Sequence, residues 1–136
     1  MENTELDNVR GYGKKMFYIA ILAGLINFIP GILISSTKTP YFNWMLLGFL
    51  AILVSLLLYR GITAGKELKD LGGLLINAGW MFVAIGVAII CSAFSEFYFV
   101  SWTTGIFNAI AAIMLIFPSM YFMSATIKEA KVSIVP

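Results

Sequence analysis

The side chains that could support chemistry within the apolar parts of this sequence are neutral amides. Asn27, Asn77 and Asn108 each lie inside a long run of uncharged residues. An unpartnered amide in hydrocarbon costs several kcal/mol, so we expect each of them to face protein or water rather than lipid. Two interpretations follow. The amides form hydrogen bonds between helices, or they line a path for a small solute, water or an ion.

Two prolines lie in the same apolar runs as the amides. Pro30 and Pro118 each lack a backbone N–H, so each frees a carbonyl one turn earlier and permits a kink in a helix. Asn27 lies beside the carbonyl that Pro30 frees, that of Ile26, and could satisfy it.

Groups that support catalysis or metal binding are scarce. The chain has no histidine, which removes the commonest metal ligand and the usual proton shuttle. Its single cysteine, Cys91, lies in an apolar stretch and is expected to be a packed thiol rather than a nucleophile. All seven acidic residues lie outside the uncharged runs. We therefore expect no enzymatic activity, no cofactor and no metal site.

The most charged internal stretch, RGITAGKELKDLGG, resembles a phosphate-binding loop only superficially. Gly61 and Gly65 are separated by three residues instead of four, and Glu67 stands where a P-loop has a hydroxyl. Neither a nucleotide nor a nucleic acid is an expected partner. The stretch reads instead as a short cytoplasmic connection, in which Arg60, Lys66 and Lys69 contact anionic lipid or a protein partner.

The composition places the chain in a membrane. Hydrophobic residues make up 60% and charged residues 12%, far from the balance of soluble domains. The uncharged runs number four and each is long enough to cross a bilayer: they are Met16 to Thr37, Thr39 to Tyr59, Leu71 to Ser95 and Phe97 to Ile127. The sequence predicts an all-α integral membrane protein of one domain. Its four transmembrane helices are expected near 16–35, 43–60, 71–94 and 101–124, with a polar N-terminal leader 1–15 and a short C-terminal tail 125–136.

The distribution of cations predicts the orientation. All but Lys38 of the nine Lys and Arg residues lie before helix 1, between helices 2 and 3, or after helix 4. With four crossings these segments share one side, and the positive-inside rule places both termini in the cytoplasm. Because the connections are short, an up-down-up-down bundle is the simplest arrangement.

Small residues recur at intervals of seven in the last two helices. They are Gly72, Gly79, Gly86 and Ala93 in helix 3, and Gly105, Ala112 and Ser119 in helix 4. Shorter versions occur as Gly24 and Gly31 in helix 1 and as Gly48 and Ser55 in helix 2. Small side chains let helix backbones approach closely in lipid, so we expect helices 3 and 4 to form a tight antiparallel pair.

These observations lead to two expectations about function. The first is a small non-enzymatic membrane protein that serves as an accessory or scaffolding subunit of a larger complex. Its partners would be membrane lipids and other membrane subunits, or further copies of itself. The second is a small oligomeric channel or transporter whose polar pathway is lined by the three asparagines. A bacterial or archaeal plasma membrane is the expected location.

Overall fold

A computed structural model gives the fold of the 136-residue chain. It describes the backbone of residues 2–35, 42–65, 67–99 and 102–131, and the side chains of 4–28, 46–65, 67–94 and 105–131. The described chain is all-helical, with α1 Glu2–Ser35, α2 Phe42–Thr63, α3 Leu68–Phe99 and α4 Trp102–Ala130.

Three helices contain stretches that are long and apolar enough to cross a membrane. These stretches are Leu46–Thr63, Leu68–Phe94 and Gly105–Ala130. The described side chains of α1, residues 4–28, contain no such stretch, since charged residues from Glu5 to Lys15 lower the hydropathy of its first half. A membrane crossing by α1 therefore stays a prediction.

The helix α1 begins at Glu2, so the residues of the predicted polar leader 1–15 are helical from Glu2 onwards. The reason is an apolar stripe at helical spacing within the charged stretch. Val9 and Met16 on this stripe are almost fully buried. Between them, Gly13 lies so close to α2 and α3 that an added Cβ would be 2.6 Å from a side-chain carbon of Ile62 and 3.1 Å from one of Leu75. The leader is thus part of the helical bundle.

The first part of the predicted tail 125–136 is likewise helical. The helix continues to Ala130, and both Thr126 and Ala130 are buried. Near the same end, the side-chain amide of Asn8 donates a hydrogen bond of 2.9 Å to Glu129 Oε1. The first turns of α1 and the last turns of α4 therefore stabilise each other.

Consecutive helices pack side by side and run antiparallel. Gly13 of α1 faces Ile62 of α2, whereas Gly24, further along α1, faces Ile52. α1 also packs against α4, which closes the ring of four helices, and α1 meets α3 across the bundle. The arrangement is an up-down-up-down bundle. Its charged end contains the start of α1, the α2–α3 connection and the end of α4.

The stretch RGITAGKELKDLGG is largely helical. Arg60 to Thr63 complete α2, and α3 begins at Leu68. Between them Gly65 has a φ of 72°, a backbone conformation that favours glycine, and this lets the chain turn back towards α3. Lys66 lies outside the described residues. The connection is too short to hold a phosphate-binding loop.

The most extensive helix contact joins α3 and α4. All of the small residues at seven-residue spacing are buried in the bundle: Gly72, Gly79, Gly86, Ala93, Gly105, Ala112 and Ser119. A Cβ added at Gly86 would lie 3.1 Å from the backbone oxygen of Ala112 and 2.6 Å from a side-chain carbon of Ile116. At Gly79 the three atoms nearest to an added Cβ all belong to the side chain of Met123.

This difference predicts unequal effects for two equivalent substitutions. Gly86→Ala should destabilise the protein by about 1–2 kcal/mol, because the carbonyl of a neighbouring helix cannot move aside. Gly79→Ala should stay within about 0.5 kcal/mol of the wild type, since the flexible Met123 side chain can change rotamer. Reversible unfolding in detergent micelles measures both. Equal losses at the two positions would contradict the close backbone contact at Gly86.

Candidate functional site

The candidate site is a pair of buried amides that joins the first and last helices. Asn27 of α1 is 3% exposed and Asn108 of α4 is 2% exposed. The Asn27 Nδ2 donates a hydrogen bond of 2.6 Å to the Asn108 Oδ1. Because α1 and α4 run antiparallel, residues far apart in the sequence meet at the same depth in the bundle. This bond supplies a specific polar contact between α1 and α4.

The second oxygen of the pair, Asn27 Oδ1, is buried and has no hydrogen-bond partner. It faces Gly48 of α2, where an added Cβ would lie 2.5 Å away. Because Gly48 has no side chain, the Asn27 amide has room to lie against α2. Among the described residues, no N–H or O–H group donates a hydrogen bond to this oxygen. A buried acceptor in this state costs about 1–3 kcal/mol.

Two glycines bring the backbones of α1 and α2 together beside the amides. A Cβ added at Gly24 would lie 2.8 Å from the Gly48 oxygen, and one at Gly48 would lie 2.7 Å from the Gly24 oxygen. Three helices thus converge at Asn27: α1 carries it, α2 makes room for it and α4 binds it. We call Gly24, Asn27, Gly48 and Asn108 the amide crossing.

Two buried hydroxyl groups donate hydrogen bonds within their own helices. Ser55 donates to the Ala51 carbonyl and Thr126 to the Phe122 carbonyl, both at 2.7 Å. Among the described residues the buried polar side chains are all neutral: Asn27, Ser55, Asn108, Ser119 and Thr126. This interior can exchange hydrogen bonds, and none of these side chains changes charge near neutral pH.

The remaining predicted residues lie apart from the amide crossing. Asn77 is exposed on the outer surface of α3, so the structure does not bring the three asparagines together. Pro118 is half-buried within α4, next to Ser119. Pro30 lies within α1, and its side chain falls outside the described residues. Cys91 corrects the expectation of a packed thiol, because it is exposed on the outward face of α3.

The predicted cationic contacts lie at the charged end of the bundle, away from the amides. Arg60 and Lys69 are both exposed. Lys69 also lines an open depression of about 510 Å³ between the ends of α1, α3 and α4, together with Glu5, Glu67 and Lys131. Two acids and two cations line this depression, so it presents no single sign of charge.

Sequence reasoning identified Asn27 and Asn108 individually but missed the role of Gly48. The available signal was the spacing of Gly24 and Asn27, which lie three residues apart and therefore on one face of α1. Comparison with family models, curated proteins and solved structures finds no match for the chain.

Proposed function

We propose that this protein is a non-enzymatic integral membrane protein that serves as an accessory or scaffolding subunit of a larger membrane assembly. The observation that carries the proposal is the amide crossing. It fixes three helices against one another through a buried hydrogen bond and a close backbone contact. Neutral groups in this arrangement keep the helices in fixed relative positions, which is the property that a scaffold needs.

The proposed placement has four membrane crossings and both termini in the cytoplasm. In this placement α1 enters the bilayer from about Met16, after its charged first turns. The support is the common position of the cations, since Arg10, Lys14 and Lys15 lie at the same end of the bundle as Arg60 and Lys69. A cytoplasmic concentration of Lys and Arg is the pattern of the positive-inside rule. We place the protein in a bacterial or archaeal plasma membrane.

A polar group on the outer face of α3 supports a partner in the membrane. Asn77 is exposed there, close to the exposed apolar side chains of Trp80, Met81 and Val87. An amide that faces lipid lacks hydrogen-bond partners, whereas a neighbouring transmembrane helix can supply them. We assign this face to contact with another subunit of the assembly or with a further copy of the chain.

Purification in mild detergent, followed by mass measurement of the intact particle, tests the proposal. The expected result is one or more other polypeptides at fixed stoichiometry. Asn77→Leu should reduce their recovery several-fold, because it removes the polar group of the proposed contact face. Met81→Leu on the same helix keeps volume and polarity and should leave recovery unchanged. A homogeneous oligomer of this chain alone would contradict the accessory role.

A second candidate function is an oligomeric channel or transporter with an asparagine-lined pathway. The observation in its favour is the unpartnered Asn27 Oδ1, an acceptor that a passing solute or water could use. A path past this atom would require the Asn27–Asn108 bond to open or Gly48 to move away. Solute flux through liposomes that disappears in Asn27→Leu and Asn108→Leu variants would favour this function over the scaffold.

A further inference from the structure

A depression between α1 and α4, near the charged end, is lined by aromatic and charged side chains that have no part in the proposed scaffold role. Its volume is about 350 Å³. The residues that line it are Tyr12 on α1 and Tyr121, Ser124, Ala125, Lys128 and Glu129 on α4. Four of the α4 residues follow helical spacing from Tyr121 to Lys128, so they form one continuous face. Ala125 lies in the middle of this face, where its small side chain leaves space.

The tyrosines of the depression are held by a shared aromatic neighbour. The rings of Tyr12 and Phe122 have centroids 6.0 Å apart, and those of Tyr121 and Phe122 pack edge to face at 5.2 Å. Phe122 is buried. Such ring pairs contribute about 0.5–1.5 kcal/mol beyond the burial of their area, which favours fixed positions for both tyrosines. The depression therefore has aromatic walls on both helices.

The rim of the depression carries one charge of each sign. Lys128 is exposed and supplies an ammonium group, and the adjacent Glu129 supplies a carboxylate. Asn8 donates its 2.9 Å hydrogen bond to one oxygen of this carboxylate, which orients Glu129 across the α1–α4 contact. A neighbouring cation and anion complement a ligand that itself carries one positive and one negative group.

The depth of the depression matches the polar boundary of a bilayer in the proposed placement. The apolar stretch of α4 ends at Ala130, next to Lys128 and Glu129, and Tyr121 lies nine residues before this end with 69% of its surface exposed. Tyrosines and lysines are the residues that membrane proteins place at the head-group level. A ligand of this depression would thus meet the protein where phospholipid head groups lie.

We propose that this depression binds the phosphoethanolamine head group of a zwitterionic phospholipid, with its phosphate against Lys128 and Ser124 and its ammonium against Glu129. The inference rests on the proposed membrane location. A primary ammonium fits better than choline, because it offers N–H donors to the carboxylate whereas choline offers none. An anionic head group without an amine would leave Glu129 opposed to the lipid charge.

Native mass spectrometry of the full chain tests this site, using mixed micelles that contain equal amounts of phosphatidylethanolamine, phosphatidylcholine and phosphatidylglycerol. The wild type should retain phosphatidylethanolamine in preference to the other two lipids. Lys128→Gln combined with Glu129→Gln should lower its retention about tenfold, since hydrogen bonds to both charged groups are weakened. Glutamine at position 129 can still accept the hydrogen bond from Asn8, so the α1–α4 contact is kept.

Asp7→Asn combined with Lys14→Gln is the matched control. It neutralises a pair of exposed opposite charges on α1 at the same end of the bundle, outside the depression. Retention of phosphatidylethanolamine should be unchanged in this control. Equal retention of all three lipids by the wild type, a preference for phosphatidylglycerol, or retention that survives the paired substitution at 128 and 129 would each overturn the assignment.

The membrane location is tested separately by flotation with vesicles of phosphatidylcholine alone. Wild-type protein that floats but shows no preference among head groups contradicts the head-group site and leaves the membrane location intact. Protein that fails to float contradicts the membrane location and the head-group site together.

Discussion

Replacing Gly48 by alanine should destabilise the bundle by about 1–3 kcal/mol, although alanine is the better helix former by about 1 kcal/mol. The added Cβ would lie 2.5 Å from Asn27 Oδ1 and 2.7 Å from the Gly24 backbone oxygen. Neither distance is tolerable for a carbon atom. The Gly24 oxygen belongs to a helix backbone, so relief requires α1 and α2 to separate. Their separation would also strain the hydrogen bond between Asn27 and Asn108.

Unfolding of the purified protein in detergent micelles, by heat or by a denaturing detergent, measures this loss. Gly73→Ala is the control, because Gly73 lies in α3 with no heavy atom within 4 Å of an added Cβ. That substitution should be neutral or should stabilise the protein by up to about 1 kcal/mol through helix propensity. If Gly48→Ala were as stable as Gly73→Ala, the close contact of α1 and α2 would not exist in solution.

The positions of the helices were predictable because long apolar runs alternate with charged residues in this chain. Uncharged runs bounded by Lys, Arg and acidic residues identified the apolar segments of all four helices. The packing of the first turns of α1 was not predicted, because charges on one face hid the apolar stripe that carries Val9 and Met16. Average hydropathy does not register such a stripe, whereas the spacing of apolar residues does. The same reason explains why the last turns of α4 were assigned to a tail.

The site was only partly predictable. Counting along the helices placed Asn27 and Asn108 at similar depths, which is a property of each helix alone. Their pairing depends on α1 and α4 being neighbours, and short connections do not determine helix order. The role of Gly48 was harder still to predict, because it depends on where α2 crosses α1 in space. Asn77 shares the residue type of the pair but lies on the opposite, outer side of its helix.

Removing the Asn108 amide should cost more stability than removing the Asn27 amide. In Asn108→Leu, Asn27 keeps a buried amide whose Nδ2 has lost its acceptor and whose Oδ1 already lacks a partner. We expect the free energy of unfolding to fall by about 2 kcal/mol, because unpaired buried polar groups are costly. Asn27→Leu removes the unpartnered oxygen together with the donor, so we expect a smaller loss of about 1 kcal/mol.

Combining the two substitutions should cost about 1 kcal/mol less than the sum of the single losses. Once one amide is gone, the hydrogen bond between Asn27 and Asn108 is already lost, so the second substitution cannot lose it again. Asn77→Leu with Asn108→Leu provides the matched control. These residues do not contact each other, so their effects should add within about 0.5 kcal/mol.

The coupling free energy between Asn27 and Asn108, obtained from this double-mutant cycle in detergent, tests the central claim that the buried amides hold the bundle together. The account predicts a coupling of about 1 kcal/mol, near the upper part of the range for hydrogen bonds in membrane bundles. Its double variant should stay folded and retain its partner polypeptides. A coupling indistinguishable from that of the Asn77 and Asn108 control pair would contradict the claim.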